Sequence, residues 1–490
     1  MSARPNILYI LSDQHAQGVA GCYGDPVVRT PNIDRLAETG VRFANAYTPS
    51  PICLPARMST LTGRYPYRQN CWSNSDILAS DIPTFAHAMG AAGYCPVLMG
   101  RMHALGPDQL HGYARRDVGD HMTDWVGGKD YTLGTLDNAQ RPFPEALRLS
   151  GAGQMSYEVM DRDVTKCALA YLGDVAARRA EGDNAPFSLS VGYMLPHQPY
   201  VADPDLFADY RDKVTPPHLP RDETAEPGYL AWWREKTGMN DITEGDALRA
   251  KAAYYALVET MDAQIGKLLD GLSALGLVDN TLVIYASDHG DQLGERDLWF
   301  KQTFYDQSAK VPLILSWPGH LPEGERRDHV VSLVDLTATL VDVSGHSPLP
   351  GTDGSSLVEI ACDPSAGWKG EVYSEYCTDG MQAWSGGKKI LTRMIRTERW
   401  KLNYFHKDKN QLFDMLDDPN ETKNLIDDPR FDTVAATLLE KVLSDWMPDE
   451  IEEAIDQSIL RKQILRDWAR ATQPADRYRW ITTAEQNWLS

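Results

Sequence analysis

The chain has 490 residues, enough for a large domain with a smaller one appended, and the composition of an ordinary globular protein. Its formal net charge of −21 is repelled by nucleic acid and by anionic membranes, so we expect neither as a partner. The seven cysteines are scattered and odd in number, which does not suit a disulfide framework, and no apolar run is long enough for a signal peptide or a membrane helix, so we expect a cytoplasmic protein.

Four short apolar runs predict buried strands of a parallel sheet, because each is partly β-branched or aromatic and lacks a polar face. They are Asn6–Ser12, Tyr94–Met99, Phe187–Met194 and Thr281–Ser287. Helical patterns lie between them, notably at residues 30–40 and from about Leu248 to Leu275. The alternation predicts an α/β fold, with a large, mixed, mostly parallel sheet sandwiched by helices.

Ionisable residues follow all four predicted strands. In chain order they are Asp13, then Arg101 and His103, then His197, and finally Asp288 and His289. In open parallel sheets, ligands bind beyond the carboxyl ends of the strands. We therefore expect these side chains to share one site.

The C-terminal part differs in pattern from the rest. Proline, glycine and serine become frequent between residues 344 and 368, and the runs that follow predict a small antiparallel sheet: Val372–Tyr376, Met394–Arg396 and Trp400–Phe405. We expect a catalytic domain over residues 1–365, an α+β subdomain over 366–450 and a tail over 451–490. Three tryptophans in the tail predict that it docks on its own subunit or on a neighbour, as an arm of a homodimer or homotetramer.

Residues 51–64 carry the strongest chemical signal. Cys53 precedes an apolar helical pattern that ends at Gly63, so it is expected at a helix N-terminus, where free N–H groups and the helix dipole favour an anion. Arg57 lies one helical turn later, so its guanidinium can reach back to the N-terminus of the same helix. A thiolate in this position would suit a phosphatase-type cysteine nucleophile, but the expected glycine-rich phosphate loop is missing. A buried structural cysteine is the other interpretation.

The pattern Cys-x-Pro-x-Arg followed by Leu-Thr-Gly-Arg resembles the signature of the sulfatase family. The resemblance covers most of the chain, and further similar segments are Pro5–Asp13, residues 30–43, Ser287–Gly290 and Leu298–Lys301. Other segments, among them Pro196–Tyr200 and Ser374–Tyr376, are similar to choline sulfatases. The resemblance implies an alkaline phosphatase-like fold and hydrolysis of a small organic sulfate monoester.

The same resemblance implies the nucleophile and the cofactors. Cys53 is expected to be oxidised to formylglycine by a maturation enzyme, and a divalent metal is expected on Asp13, Cys53, Asp288 and His289. Gln14 stands where many sulfatases have a second acidic residue, which favours Mn²⁺ or a Ca²⁺ or Mg²⁺ site. The hydrate attacks sulfur, and the hemiacetal then collapses to the aldehyde and expels sulfate.

The resemblance also implies roles for five further residues. Arg57, Arg101 and Lys301 are expected to clamp the sulfate oxygens. His103 is expected to be the base for collapse of the hemiacetal, and either His197 or Lys301 is expected to protonate the leaving alkoxide. One departure from the family pattern is that Arg-Met-His stands at residues 101–103, where the family usually has Lys-x-His. We therefore expect the guanidinium of Arg101 to contact the oxyanion through two nitrogens and to be set back from it.

Asn74 and Trp125 are further candidate substrate contacts, Trp125 as a face for a quaternary ammonium group. The sequence is compatible with a choline, aryl or other small organic sulfate. The alternative within the superfamily is a phosphonate monoester or phosphodiester hydrolase. The presence of His103 favours a sulfatase over this alternative. An alternative from another class is a non-catalytic anion-binding protein in which Cys53 stays a thiol.

Overall fold

Strands and helices alternate through most of the chain in the structure, a computed structural model that describes residues 4–222, 225–382 and 385–490. The strands are β1 Asn6–Asp13, β2 Val41–Tyr47, β3 Cys95–Gly100, β4 Arg115–Arg116, β5 Gly151–Gln154, β6 Phe187–Pro196, β7 Val201–Ala202, β8 Thr281–Ser287, β9 Leu313–Ser316, β10 Glu325–Ser332, β11 Glu371–Thr378, β12 Ile390–Thr397, β13 Trp400–Phe405, β14 Gln411–Asp414 and β15 Trp488–Leu489. The helices are α1 Pro31–Glu38, α2 Cys53–Thr62, α3 Phe85–Ala91, α4 Glu145–Arg148, α5 Ser156–Ala180, α6 Pro204–Arg211, α7 Gly228–Thr237, α8 Glu244–Ala274, α9 Asp306–Ala309, α10 Val334–Ser344, α11 Val358–Cys362, α12 Asp432–Leu443 and α13 Pro448–Thr472.

The large sheet has the strand order β10-β2-β9-β8-β1-β6-β3-β4. Every neighbouring pair is parallel except those of β9, which runs antiparallel to both β2 and β8. The prediction of a large, mixed, mostly parallel sheet is therefore confirmed. The four predicted strands are β1, β3, β6 and β8, and they occupy four adjacent positions, so their carboxyl ends meet at one edge.

Both faces of the large sheet are covered, which explains the continuous apolar runs of its central strands. All eight residues of β1 are buried. Because successive side chains of a strand alternate, Leu8 and Ile10 pack against the layer with α5 and α8. Ile7, Tyr9 and Leu11 pack against the layer with α2, α3 and α10. Helix α2, which begins at Cys53, is thus part of the core.

The second sheet has the order β11-β12-β13-β14 and is antiparallel throughout, which confirms the predicted C-terminal antiparallel sheet and adds a fourth strand. Helix α12 packs against it. A buried ion group joins this sheet to the larger unit, since Nζ of Lys401 lies 2.7 Å from Oδ1 of Asp306 and 2.8 Å from Oε1 of Glu421.

The last forty residues pack against their own chain. Helix α13 contributes a buried lysine, Lys462, which pairs with Asp76 and, at 2.7 Å, with Oδ2 of Asp379. The chain then ends in β15, which pairs with β5 in a small sheet of order β15-β5-β7. Within the described residues, no helix combines the length and the apolar character needed to cross a membrane.

Candidate active site

Four buried side chains converge where β1 and β8 end and α2 begins. They belong to Asp13, Cys53, Asp288 and His289, and one potential ligand atom of each lies within 4.8 Å of the others. Sγ of Cys53 is 3.2 Å from Nε2 of His289 and 3.6 Å from Oδ1 of Asp13. The structure therefore brings together the four residues that the sequence predicts as metal ligands.

Two buried arginines hold the carboxylates of this cluster. Arg57 donates from Nε to Oδ2 of Asp288 at 2.8 Å and from Nη2 to Oδ2 of Asp13 at 3.2 Å. Its Nη1 donates to the carbonyl oxygen of Arg101 at 3.0 Å. Arg101 donates from Nε to Oδ2 of Asp13 and from Nη1 to Asp120 at 3.2 Å. Both arginines thus orient side chains of the cluster.

The electrostatics of the cluster suit a divalent cation. Burial alone would raise the pKa of Asp13, but the cations Arg101 and Arg57 outweigh it and hold that pKa well below its usual range. Burial lowers the pKa of His289 to about 4, so the ring is neutral at physiological pH. Its Nδ1 donates to the carbonyl oxygen of Gly290 at 3.1 Å, which leaves the Nε2 lone pair for a metal. Carboxylate oxygens with one neutral imidazole fit such an ion.

Lys301 supplies a positive charge beside the cysteine. Its Nζ donates to Sγ of Cys53 at 3.1 Å and to Oε1 of Gln14 at 2.6 Å. The amide nitrogen of Gln14 donates in turn to Oδ2 of Asp291 at 2.6 Å and to Gln198 at 2.7 Å. Gln14 therefore positions Lys301, a role that its place beside Asp13 in the sequence did not reveal.

The cluster opens into a cavity of about 600 Å³, here called the reaction cavity. Six of the predicted site residues line it: Cys53, Asn74, Arg101, His103, His197 and Lys301. Asp13, Asp288 and His289 adjoin Cys53 but are not part of the cavity wall. Arg57 is also absent from the wall, because its donors are directed at Asp13, Asp288 and the carbonyl oxygen of Arg101.

Hydrogen bonds determine which nitrogen of each cavity histidine carries the proton. Nη2 of Arg101 donates to Nδ1 of His103 at 3.1 Å, so the neutral ring of His103 is protonated at Nε2. Nδ1 of His197 donates to the carbonyl oxygen of Gln198 at 2.6 Å, so Nε2 of His197 keeps a lone pair. Burial, then the adjacent Arg101 for His103 and Lys301 for His197, lowers the pKa of both rings. Both are therefore neutral in the free protein.

Unusual backbone conformations concentrate around the cavity. Gln14, His103 and Gln302 have φ values of 71°, 60° and 71°, a region that non-glycine residues seldom adopt and that often marks functional sites. At the end of β3, Gly100 has φ 86°, and a Cβ there would lie 2.2 Å from the carbonyl oxygen of Gly192. This close approach of β3 and β6 sets the position of Arg101.

Two site residues were not predicted from the sequence, Asp120 and His121. Asp120 accepts from Arg101 and from the backbone N–H of His103 at 2.9 Å, and Nδ1 of His121 lies 3.0 Å from its Oδ1. Both follow β4, which has only two residues and therefore no periodic pattern. Their acid-histidine pairing was the only signal that could have marked them.

Asn74 and Trp125 have different surroundings from one another. Oδ1 of Asn74 accepts from the backbone N–H of Leu54 at 2.9 Å, so Asn74 caps the helix that carries Cys53 as well as lining the reaction cavity. Trp125 is not in that cavity. Its ring packs edge-on against Trp468 at 5.3 Å, and its Nε1 donates to the carbonyl oxygen of Ala475 at 3.2 Å.

The profile and sequence comparisons with known proteins agree on one family. The sulfatase profile matches residues 5–346, and the profile of the C-terminal region of N-sulphoglucosamine sulphohydrolase matches residues 294–446. A choline-sulfatase of Rhizobium meliloti (strain 1021) is 33% identical over 96% of this chain and 92% of its own. An ulvan-active sulfatase of Formosa agariphila is 29% identical over 88% and 79%. The phosphonate monoester hydrolase SpPMH from Silicibacter pomeroyi has the same fold, with a TM-score of 0.72 and 24% identity over 90% and 94%.

Proposed function

The chain belongs to the sulfatase family and is a sulfuric ester hydrolase, and on this premise we propose that it cleaves the S–O bond of an organic sulfate with a nucleophile derived from Cys53. The observation that carries the proposal is the convergence on Sγ of Cys53, at the N-terminus of α2, of the Lys301 ammonium and the carboxylate-histidine cluster. A helix N-terminus also favours the anionic sulfate group.

We propose that Cys53 is converted to formylglycine, whose hydrate is the nucleophile, by a formylglycine-generating maturation enzyme. A divalent cation, Ca²⁺, Mn²⁺ or Mg²⁺, held by Asp13, Asp288, His289 and the modified residue, would lower the pKa of the attacking hydroxyl and neutralise charge on sulfate oxygens. Arg57 would act as a positioning residue for the two carboxylates.

The remaining cavity residues divide between binding and proton transfer. We assign Arg101, Lys301 and the Nε2–H of His103 as donors to the sulfate oxygens. Lys301 is our choice for protonating the leaving alkoxide, because neutral His197 has no proton on Nε2 to give. For the same reason His197 is a better base for collapse of the hemiacetal than His103, whose Nε2 already carries a proton in this arrangement.

The setting of the enzyme is part of the proposal. We propose a cytoplasmic homo-oligomer, a dimer or tetramer, that acts on small-molecule sulfate esters without nucleic acid or membrane as a partner. The acidic composition supports the last point, because a net charge of −21 opposes binding to phosphate-rich surfaces.

The test is a rate comparison on metal-loaded protein from a host with the maturation enzyme. Wild type, Cys53→Ala and the exposed-cysteine control Cys95→Ala are assayed with 4-nitrophenyl sulfate and with a phenylphosphonate monoester. We expect wild type and Cys95→Ala to prefer the sulfate, and Cys53→Ala to lose at least ~10³-fold in kcat/KM. Preference for the phosphonate by orders of magnitude would show that the enzyme is a phosphonate monoester hydrolase. Activity of Cys53→Ala would show that Cys53 does not supply the nucleophile.

A further inference from the structure

A second cavity of about 820 Å³ adjoins the reaction cavity. The two share Asn74, Met122 and Asp130 in their walls, so a ligand can extend from one into the other. One side of the second cavity is the loop over residues 122–130, and the other is the end of α13 with residues 473–476. Neither the formylglycine chemistry nor the metal cluster needs this space.

Three cations line the second cavity: Lys129, Arg466 and Arg470. Within the part of the chain that the structure describes, none of their side chains forms an ion pair, although the protein as a whole has an excess of 21 negative charges. Arg466 and Arg470 are four residues apart and so share a face of α13. The aliphatic part of the Arg466 side chain packs on Gly127. A Cβ added at Gly127 would lie 2.4 Å from Cγ of Arg466.

The carboxylates of the second cavity do not cancel these cations. Oδ1 of Asp476 accepts from Oγ1 of Thr123 at 2.8 Å and from the backbone N–H of Asp124 at 2.9 Å, and its Oδ2 lies 3.1 Å from Nη1 of Arg479. Asp476 is therefore already engaged. Asp130 is the other carboxylate in the wall, and it stands at the junction with the reaction cavity. The second cavity is thus suited to an anion and repels a quaternary ammonium group.

Other groups in the two cavities suit a sugar. Trp125 lines the second cavity with its ring fixed by Trp468 and Ala475, which gives a rigid aromatic surface for the C–H face of a pyranose. In the reaction cavity, Gln140, Gln302 and Gln382 each have a buried Oε1 with no hydrogen-bond partner among the described residues. Unpartnered amide oxygens are acceptors for hydroxyl groups.

We propose that the second cavity is an anion subsite of the enzyme, which binds a sulfate or carboxylate group on a sugar unit next to the one whose sulfate ester is cleaved. The substrate class is then a short saccharide with at least two anionic groups, one at Cys53 and one at Lys129, Arg466 and Arg470. This inference rests on the proposed function, because it takes the reaction cavity as the site of sulfate cleavage.

The test measures inhibition of 4-nitrophenyl sulfate turnover by a disulfated heparin disaccharide and by glucose 6-sulfate. The variants are the double substitution Arg466→Gln/Arg470→Gln and the matched control Arg461→Gln, an exposed arginine of the same helix outside the cavity. In wild type and the control we expect the disaccharide to inhibit at a concentration at least ~10-fold lower than the monosaccharide, because extra charge-assisted hydrogen bonds form. The double variant should lose this difference.

Two outcomes would overturn the subsite: equal inhibition by the two sugars in wild type, or an unchanged difference in the double variant. Calorimetric titration of the disaccharide into Cys53→Ala protein, with and without the double substitution, measures the same preference without turnover. If 4-nitrophenyl sulfate is not cleaved at all, the proposed function fails, whereas calorimetry still decides whether the subsite exists.

Discussion

The guanidinium of Arg57 is fully buried and contacts both carboxylates of the candidate metal site, Asp13 and Asp288. A lysine ammonium is a point charge and cannot span Asp13 and Asp288 in the same way. In the proposed mechanism Arg57 acts through the geometry of the candidate metal ligands, so its replacement should be visible in metal binding before any substrate is added.

We predict that Arg57→Lys weakens Mn²⁺ binding by ~10–100-fold, the usual cost of losing a group that orients metal ligands. Calorimetric titration of metal-free protein measures it. The control is Arg64→Lys, just beyond the same helix, where the side chain binds the carbonyl oxygen of Pro350. Equal Mn²⁺ affinity in Arg57→Lys and wild type would contradict the positioning role.

The choice of Lys301 over His197 as the acid predicts a dependence on the leaving group. Lys301→Gln should lower kcat/KM for an alkyl sulfate by ~10²–10⁴-fold and for 4-nitrophenyl sulfate by less, because nitrophenolate leaves without a proton. His197→Gln should lower both rates by a similar factor. The reverse pattern, a leaving-group dependence only in His197→Gln, would make His197 the acid.

Residues directly after long strands were the ones that the sequence located well. Asp13, Arg101, His197 and Asp288 follow parallel strands, and parallel strands bring their carboxyl ends to one edge. The surroundings of Trp125 were not predicted, because they come from Trp468, more than three hundred residues later in the chain. Sequence patterns are local and contain no information on such a contact.

At the scale of elements, α13 contacts the loop that follows α2, the helix that begins at Cys53. Lys462 of α13 pairs with Asp76, whose Oδ2 accepts from the backbone N–H groups of Trp72 and Ser73 at 2.8 Å and 2.7 Å. The next residue is Asn74, which caps α2. The tail is thus connected to Cys53 through a short series of buried polar contacts.

We predict that Lys462→Met lowers the free energy of unfolding by ~3–5 kcal/mol, because it leaves two buried carboxylates without their cation. The control Lys441→Met removes a half-exposed partner of Glu371 and should cost no more than ~1 kcal/mol. Urea denaturation monitored by tryptophan fluorescence measures both. Similar losses in the two variants would show that the Lys462 ion group has no special role.

Long elements were predicted more closely than short or terminal ones. Thr281–Ser287 matches β8, and the other three core strands and α8 differ from their predictions only at the ends. The pair of residues in β4 and the three-stranded sheet with β15 gave no periodic signal, since each depends on pairing with distant chain segments. The mixed charge of residues 448–472 likewise obscured the length of α13.

At the scale of the whole molecule, we propose that the chain divides near residues 365 and 450 and that its tail forms the contact of a homo-oligomer. Helix α13 exposes an apolar stripe of Leu460, Ile464 and Trp468, which are 55%, 71% and 43% exposed and spaced by four residues. Such a stripe on a helix that packs in its own subunit is a suitable contact between subunits.

We predict that Ile464→Glu reduces the molar mass in solution, measured by light scattering, to that of a smaller species, because a buried charge opposes association. Leu416→Glu is the control, since Leu416 is 66% exposed and follows β14 of the second sheet instead of belonging to α13. If both variants keep the wild-type mass, α13 does not form the subunit contact.

The most direct measurement is the mass of the tryptic peptide 43–57, which contains Cys53, from enzyme that hydrolyses 4-nitrophenyl sulfate. Replacement of the thiol by an aldehyde lowers that mass by about 18 Da. We predict the lower mass, with a converted fraction that rises in proportion to kcat across preparations. Full activity in a preparation whose peptide carries only the unmodified thiol would contradict the account.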